Sequence, residues 1–315
     1  MEVKAFASRL IELKSIAIFM HVRPDGDCVG SALGLYYALK KLGKTVAVFS
    51  EDEIPEKFSY LNGISEIKSV FEGEFDGYIS VDCTDWSRTG GFGEVFNTKK
   101  PTFNFDHHIS NTYFAKYNVM IDSASCSEIV LDLIDELGVE IDQDIAMALA
   151  TGIITDTGNF KHSNVEESTF YKAGRLKKHG ADFNKITYAN FTAQSKNRAK
   201  LFAETMSKIR YLLDDKLAIV VVTEEMIKRS GAKPAETEGF VDFILGIKEV
   251  EVAVCIMQTD GYYKASFRAK TASVNAVAEK FGGGGHVLAA GCRYNGEVEE
   301  FIDKIRYYVS QNLPE

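Results

Sequence analysis

Ile16-Ala17-Ile18-Phe19-Met20-His21-Val22-Arg23-Pro24-Asp25-Gly26-Asp27 joins an apolar run to a tight polar turn. The run is too short for a helix and predicts a buried strand over Ile16–His21. His21 closes that strand, and the turn after it carries Asp25 and Asp27 across one glycine. The glycine lets the chain turn sharply and aim two carboxylates at neighbouring points. A helical pattern over Val29–Leu42 follows, so the same aspartates also suit an ordinary turn and helix entry. The order repeats along the chain: strands are expected at Thr45–Phe49, Gly77–Asp82 and Thr102–Asp106, and helices at Ser127–Leu137 and Gln143–Thr155. Such alternation predicts an α/β fold built on a mainly parallel sheet with helices on both faces. Ligands in these sheets bind beyond the carboxyl ends of the strands.

Those ends are unusually polar. The third strand finishes Ile79-Ser80-Val81-Asp82, and the fourth finishes Phe103-Asn104-Phe105-Asp106-His107-His108. Asp156 closes an otherwise apolar helix, where a negative charge opposes the helix dipole and needs a cation nearby. Asp25, Asp27, Asp82 and Asp156 with neutral His21 and His107 carry a charge that two divalent cations would cancel. Mixed oxygen and imidazole donors favour Mn²⁺, with Mg²⁺ or Co²⁺ as alternatives. Cys28 and Cys83 are read as core packing. Arg88 and His162 lie near these motifs without an assigned task.

A chain of 315 residues exceeds one compact core and predicts two domains. With 45% hydrophobic residues it can fill them. No apolar stretch approaches the roughly 18 residues of a membrane span, and the amphipathic start lacks a signal peptide's apolar segment. Five widely spaced cysteines suggest neither a disulfide framework nor a zinc knuckle, which fits a reducing cytoplasm. The net charge of −9 weighs against long DNA or RNA as ligand, though not against a short one.

From Asp182 to Glu204 the pattern is polar and helical and reads as a connection. Beyond it a strand (Leu217–Val222), a hairpin turning near Asp260-Gly261, a helix ending at Phe281 and a last helix over Val298–Asn312 predict a smaller α+β domain. In the second hairpin strand, alternation puts Lys264, Ser266, Arg268 and Lys270 on one face and Ala265, Phe267 and Ala269 on the other. The run Gly282-Gly283-Gly284-Gly285 lets backbone N–H groups approach an anion. With His286 following, Ser266, Arg268 and Gly283–Gly285 are expected to form a phosphate or carboxylate pocket. Tyr262, Tyr263 and Phe240 are the aromatic candidates for base stacking, against a plain core role.

His21-x3-Asp25-x-Asp27, Asp82, Asp106-His107-His108 and Asp156 resemble, in order and spacing, the four motifs of the DHH phosphoesterases. Gly282–His286 with Ala289-Ala290-Gly291 resembles the signature of the associated DHHA1 domain. The resemblance implies a DHH catalytic domain over residues 1–185, a helical linker over 186–204 and a DHHA1 substrate domain over 205–315. It implies that His21 and Asp25 hold one Mn²⁺, that Asp27, His107 and Asp156 hold the other, and that Asp82 bridges them. Asp106 would orient an imidazole, and His108 would contact the scissile phosphate. Within the family the layout is most similar to the cytoplasmic nano-RNase and 3′-phosphoadenosine-5′-phosphate (pAp) phosphatase group. The expected substrates are short RNA or pAp, with the second domain holding the substrate's end so that length is measured; a homodimer is compatible, long DNA and membranes are not expected. The alternative is a soluble cyclic-dinucleotide or linear-dinucleotide phosphodiesterase acting on c-di-AMP or pApA. A RecJ-type exonuclease, a manganese pyrophosphatase and a catalytically silent nucleotide sensor fit less well.

Overall fold

The computed structural model describes residues 2–313. The chain separates into two compact units, one up to Ala193 and one from Gln194.

The first unit contains α1 (Val3–Glu12), β1 (Ser15–Phe19), α2 (Gly26–Lys41), β2 (Thr45–Phe49), β3 (Ile67–Lys68), β4 (Gly77–Val81), β5 (Thr102–Asp106), β6 (Tyr117–Met120), α3 (Cys126–Glu136), α4 (Gln143–Asp156), α5 (Glu167–Lys178) and α6 (Phe183–Thr187). Its six strands lie in the order β3-β2-β1-β4-β5-β6, and every neighbouring pair is parallel. Side chains of β1 alternate between two cores, as period-two geometry demands. Ile16 and Ile18 face α1, α2, α3 and α4, whose apolar faces close one side of the sheet. Ala17 and Phe19 face the other side, which is covered by Phe71, Phe75, Phe92, Phe96 and Phe114 from loops and from 3₁₀ turns over Trp86–Phe96. α-Helices therefore cover one face and an aromatic, irregular layer covers the other.

α2 and α4 cross closely enough that side chains are excluded from the contact. A Cβ on Gly30 of α2 would lie 2.4 Å from the Ala148 carbonyl oxygen and 2.8 Å from Gly152 N of α4, and one on Gly152 would lie 2.5 Å from Asp27 Oδ1 and 1.9 Å from Ser127 Oγ of α3. Gly26 has the same origin: a Cβ there would meet the Thr155 side chain at 2.3 Å. It is the first residue of α2 and is absent from the left-handed glycines. The expectation that it serves a sharp turn is thus corrected, because steric room against α4 is what requires it.

The second unit contains α7 (Lys196–Met206), β7 (Arg210–Leu212), β8 (Leu217–Val222), α8 (Glu224–Ser230), α9 (Phe240–Leu245), β9 (Val252–Thr259), β10 (Tyr262–Ala269), α10 (Val274–Glu279), β11 (Gly284–His286), β12 (Ala289–Tyr294) and α11 (Val298–Ser310). The sheet order is β11-β12-β10-β9-β8-β7, antiparallel except for β8 against β9. One face packs on α10 and α11, the other on α7, α8 and α9. Gly261, at φ +83°, closes the two-residue turn between β9 and β10.

Candidate metal centre and substrate face

Three strand ends of the parallel sheet meet at one point. His21 follows β1, Asp82 follows β4, and His107 follows β5. α2 delivers Asp25 at its N-cap and Asp27 in its first turn, and α4 delivers Asp156 from its last. The result is two groups sharing one carboxylate. His21 Nε2 lies 3.7 Å from Asp25 Oδ1 and 3.5 Å from Asp82 Oδ2. His107 Nε2 lies 3.5 Å from Asp82 Oδ1, 3.5 Å from Asp156 Oδ2 and 3.9 Å from Asp27 Oδ2. Within each of the sets His21, Asp25, Asp82 and Asp27, His107, Asp156, the ligand atoms fall inside 4.8 Å of one another.

The hydrogen bonds on the far side of each ring specify what the near side offers. His21 Nδ1 is 2.8 Å from the Val22 carbonyl, and His107 Nδ1 is 3.0 Å from the Ser123 carbonyl. A carbonyl can only accept, so Nδ1 carries the proton in both rings and the neutral Nε2 is a bare lone pair. Two lone pairs then face five carboxylate contacts. His107 Nε2 and Asp82 Oδ1 are buried without any hydrogen-bond partner, at a cost that a bound ion would remove. The donor chemistry of the cluster fits divalent cations.

Electrostatics agree. Burial and the nearby Asp82 and Asp156 charges push the Asp27 carboxyl well above the usual carboxylate range. Burial likewise pushes Asp156 up to about 6. Burial disfavours charging His107, but the Asp82, Asp27 and Asp156 carboxylates outweigh it and raise the ring to about 10. The same contest, with burial opposed by Cys28, Asp25 and Asp82, leaves His21 strongly raised. The cluster attracts positive charge, and protons compete for the places that metal ions would take.

Asp82 sits at φ +55°, in the left-handed region that non-glycine residues rarely enter. This bend turns its side chain back between the two imidazoles. Asp27 is held differently: its oxygens accept from Cys126 N (2.6 Å) and Ser127 N (2.9 Å), at the start of α3. The positive end of α3 therefore stabilises a buried carboxylate that also faces His107.

Asp106 is fully engaged and offers no free oxygen. It accepts from His107 N at 2.9 Å, from His108 Nδ1 at 2.6 Å and from Asn111 Nδ2 at 2.6 Å. Its task is to hold His108, whose Nδ1–H it accepts and whose pKa that bond raises. The His108 ring is half-exposed. Asn111 is part of this arrangement and carries no signal in sequence, being one polar residue in a loop. The two unassigned residues also lie near the cluster: Arg88 Nη2 comes within 3.4 Å of His21 Nδ1, an approach of two donors and not a hydrogen bond, and His162 Nδ1 is 3.1 Å from the Asp156 carbonyl. Cys28 and Cys83 are buried, with Cys28 in the main core.

In the second unit, Lys264, Ser266 and Arg268 line a hollow of about 460 Å³ with Thr237, Asp242 and Met257. Ala265, Phe267 and Ala269 are buried on the opposite face. Arg268 Nε lies 3.3 Å from Asp242 Oδ1, so it is held by an acid rather than left free. The glycine run is not a loop over its whole length: Gly284–His286 is the edge strand β11, paired with β12. A Cβ at Gly285 would lie 2.4 Å from the Ala289 carbonyl, so close strand approach is one reason for glycine there. Register places Ser266, Gly291 and Gly284 in one row, and Arg268, Ala289 and His286 in the next. Residues opposite each other share a face, so a floor almost without side chains runs beside Ser266 and Arg268. Phe240 is fully buried and cannot stack on a base, which corrects its candidacy. Tyr262 lies under the Arg293 guanidinium at 5.1 Å, and Tyr263 packs against the core.

Two family models match the chain: the DHH family, N-terminal domain, over residues 15–153, and the DHHA1 domain over residues 214–311. The bifunctional oligoribonuclease and PAP phosphatase NrnA of Thermus thermophilus is 31% identical over 304 residues, covering 95% of this chain and 90% of the relative. The Bacillus subtilis protein of the same name is 25% identical, covering 88% of each. The crystal structure of an exopolyphosphatase-related protein from Bacteroides fragilis superposes with a TM-score of 0.84 at 26% identity, covering 98% of this chain and 97% of that one.

Proposed function

Because the chain belongs to the DHH phosphoesterase family, we propose that it is a manganese-dependent hydrolase of short oligoribonucleotides and of pAp. The products are 5′-mononucleotides in the first case, AMP and phosphate in the second. Residues 1–185 form the catalytic domain, 186–204 a helical linker and 205–315 the substrate domain. No helix among the described residues is long and apolar enough to cross a membrane, and we place the reaction in the cytoplasm.

One observation carries the reading: Asp82 presents one oxygen to each of two imidazoles, and its Oδ1 and His107 Nε2 are buried with no hydrogen-bond partner. His21 and Asp25 would hold one divalent ion, Asp27, His107 and Asp156 the second, and Asp82 both. When bound, such ions supply an activated water and stabilise charge on the phosphoryl oxygens. Asp106 keeps the Nδ1–H of His108 fixed, so that the other ring nitrogen can donate a proton to the departing ester oxygen. Ser266, Arg268, Gly283, Gly284, Gly285 and His286 bind the substrate's terminal phosphate through charge and exposed backbone. The relatives' names, which specify oligoribonuclease and PAP phosphatase, support this substrate class.

The test is a manganese assay run in parallel on pAp, RNA of two to five nucleotides, a 24-mer and c-di-AMP. Turnover of pAp and of the shortest RNAs, with little on the 24-mer, is expected. Turnover confined to c-di-AMP, or none on any nucleotide, would overturn the proposal.

A further inference from the structure

The first unit contains an exposed aromatic ring that the proposed chemistry does not use. Phe191 is 47% exposed and belongs to a π-helical turn, Tyr188–Thr192. Single exposed apolar residues are ordinary, but this ring shares a depression with Asp25 and Asp156 of the metal centre, together with Lys57, Thr155 and Asn190. The depression measures about 190 Å³, below the roughly 300–1,000 Å³ of whole-ligand pockets. It has room for one ring of a substrate.

The turn that carries Phe191 is anchored to the helix that carries Asp156. Asn190 Nδ2 donates to Tyr60 Oη at 3.0 Å and to the Ile186 carbonyl at 2.9 Å. Tyr60 Oη is 3.0 Å from Thr151 Oγ1 on α4, and that hydroxyl donates to the Met147 carbonyl at 2.9 Å. With its own proton used, Thr151 accepts from Tyr60, and Tyr60 accepts from Asn190, so each donor in the chain has one direction. Ala193 N closes the π turn on the Tyr188 carbonyl at 2.7 Å. π turns are rare and are found frequently at functional sites. An exposed aromatic ring on an anchored turn, lining one depression with a lysine and two acids of the metal centre, is suited to a base flanked by phosphates.

We infer that Phe191 is a specificity-determining residue that stacks on the base of the nucleotide adjoining the scissile phosphate, with Lys57 meeting a neighbouring phosphate. The inference rests on the nucleotide-hydrolase reading above. It explains how a centre able to attack any phosphoester would prefer one bearing a base. Stacking on one aromatic residue changes nucleic-acid affinity by about tenfold.

The experiment compares pApA with bis(p-nitrophenyl) phosphate, which carries no base, in the full chain with Mn²⁺. Phe191→Ala should lower the ratio of the two kcat/KM values about tenfold, and Phe191→Trp should restore it. An unchanged ratio, or equal loss on both esters, would overturn the inference. Saturation-transfer NMR of AMP with the metal-free protein separates the subsite from the activity. Adenine signals should weaken in Phe191→Ala and return in Phe191→Trp, and equal signals in all three would overturn the subsite. Wild-type protein that cleaves only the p-nitrophenyl ester would overturn the functional reading, while the AMP signals would still decide the role of Phe191.

Discussion

Asp106→Asn separates the orienting role of this carboxylate from its structural one. The native side chain accepts from His108 Nδ1 at 2.6 Å through Oδ1 and from Asn111 Nδ2 at 2.6 Å through Oδ2. An amide can keep only one of these bonds. If its oxygen stays on His108, its NH₂ faces the NH₂ of Asn111, two buried donors that repel. A hydrogen bond to a charged partner contributes about 1.5–3 kcal/mol, and an unsatisfied buried donor costs about 1–3 kcal/mol. The first figure corresponds to roughly 10- to 150-fold in rate. Phosphate release from pAp, followed against pH, should show kcat reduced by that factor. The raised pKa of His108 gives the sign: the acidic form persists to higher pH in the native protein and is lost as pH rises through the folded pKa. Removing the carboxylate lowers that pKa, so the alkaline limb of the profile moves to lower pH. Adding Asn111→Asp to Asp106→Asn restores a donor facing an acceptor but loses the bond from Asn111 Nδ2 to the Cys83 carbonyl, so it should recover thermal stability only in part and the rate not at all. Full recovery of the rate in the double variant, or an alkaline limb that does not move, would refute the orienting role.

Asp82→Asn should abolish turnover of every substrate and sharply reduce bound manganese measured by atomic emission; unchanged metal content would contradict a shared carboxylate. Arg268→Ala should raise KM for substrates with a terminal phosphate roughly 10-fold or more, the worth of one charge-assisted hydrogen bond, while kcat changes little; the opposite split would move Arg268 into the chemistry. Manganese at 100 times its dissociation constant should stabilise the fold by about 2.7 kcal/mol, seen as a rise in Tm, and the rise should shrink as acid protonates Asp156 near pH 6. Gly152→Ala should cost about 1–3 kcal/mol through overpacking, with a lower Tm; a neutral result would show that α2 and α4 can separate freely.

The central strand β1 was legible because it is buried on both sides and reads as a continuous apolar run. β2 and β5 match their expected bounds, Thr45–Phe49 and Thr102–Asp106, and β4 ends one residue before its expected end. The edge strand β3, with two residues, was not, and neither was the interior strand β12, which reads Ala-Ala-Gly-Cys-Arg-Tyr without a β-branched residue. The aromatic layer on the second face of the parallel sheet comes from loops, where no periodicity announces it. In the metal centre Asp82, Asp156 and the histidines stood out because they occupy places where structure alone gives little reason for charge, whereas Asp25 and Asp27 also suit the start of α2. What escaped sequence reading were partners supplied by the backbone, such as the Ser123 carbonyl behind His107, and the single polar residue Asn111. Phe240 shows the reverse error, an aromatic whose burial only the packing of α9 reveals.

The left-handed backbone at Asp82 also limits what can replace it. Besides glycine, asparagine and aspartate are the residues that tolerate such a conformation most readily, so alanine there would confound a lost ligand with a strained main chain. Asparagine would keep the bend while removing the charge between the two histidines. It is the substitution to choose for trapping an uncleaved substrate in a crystal.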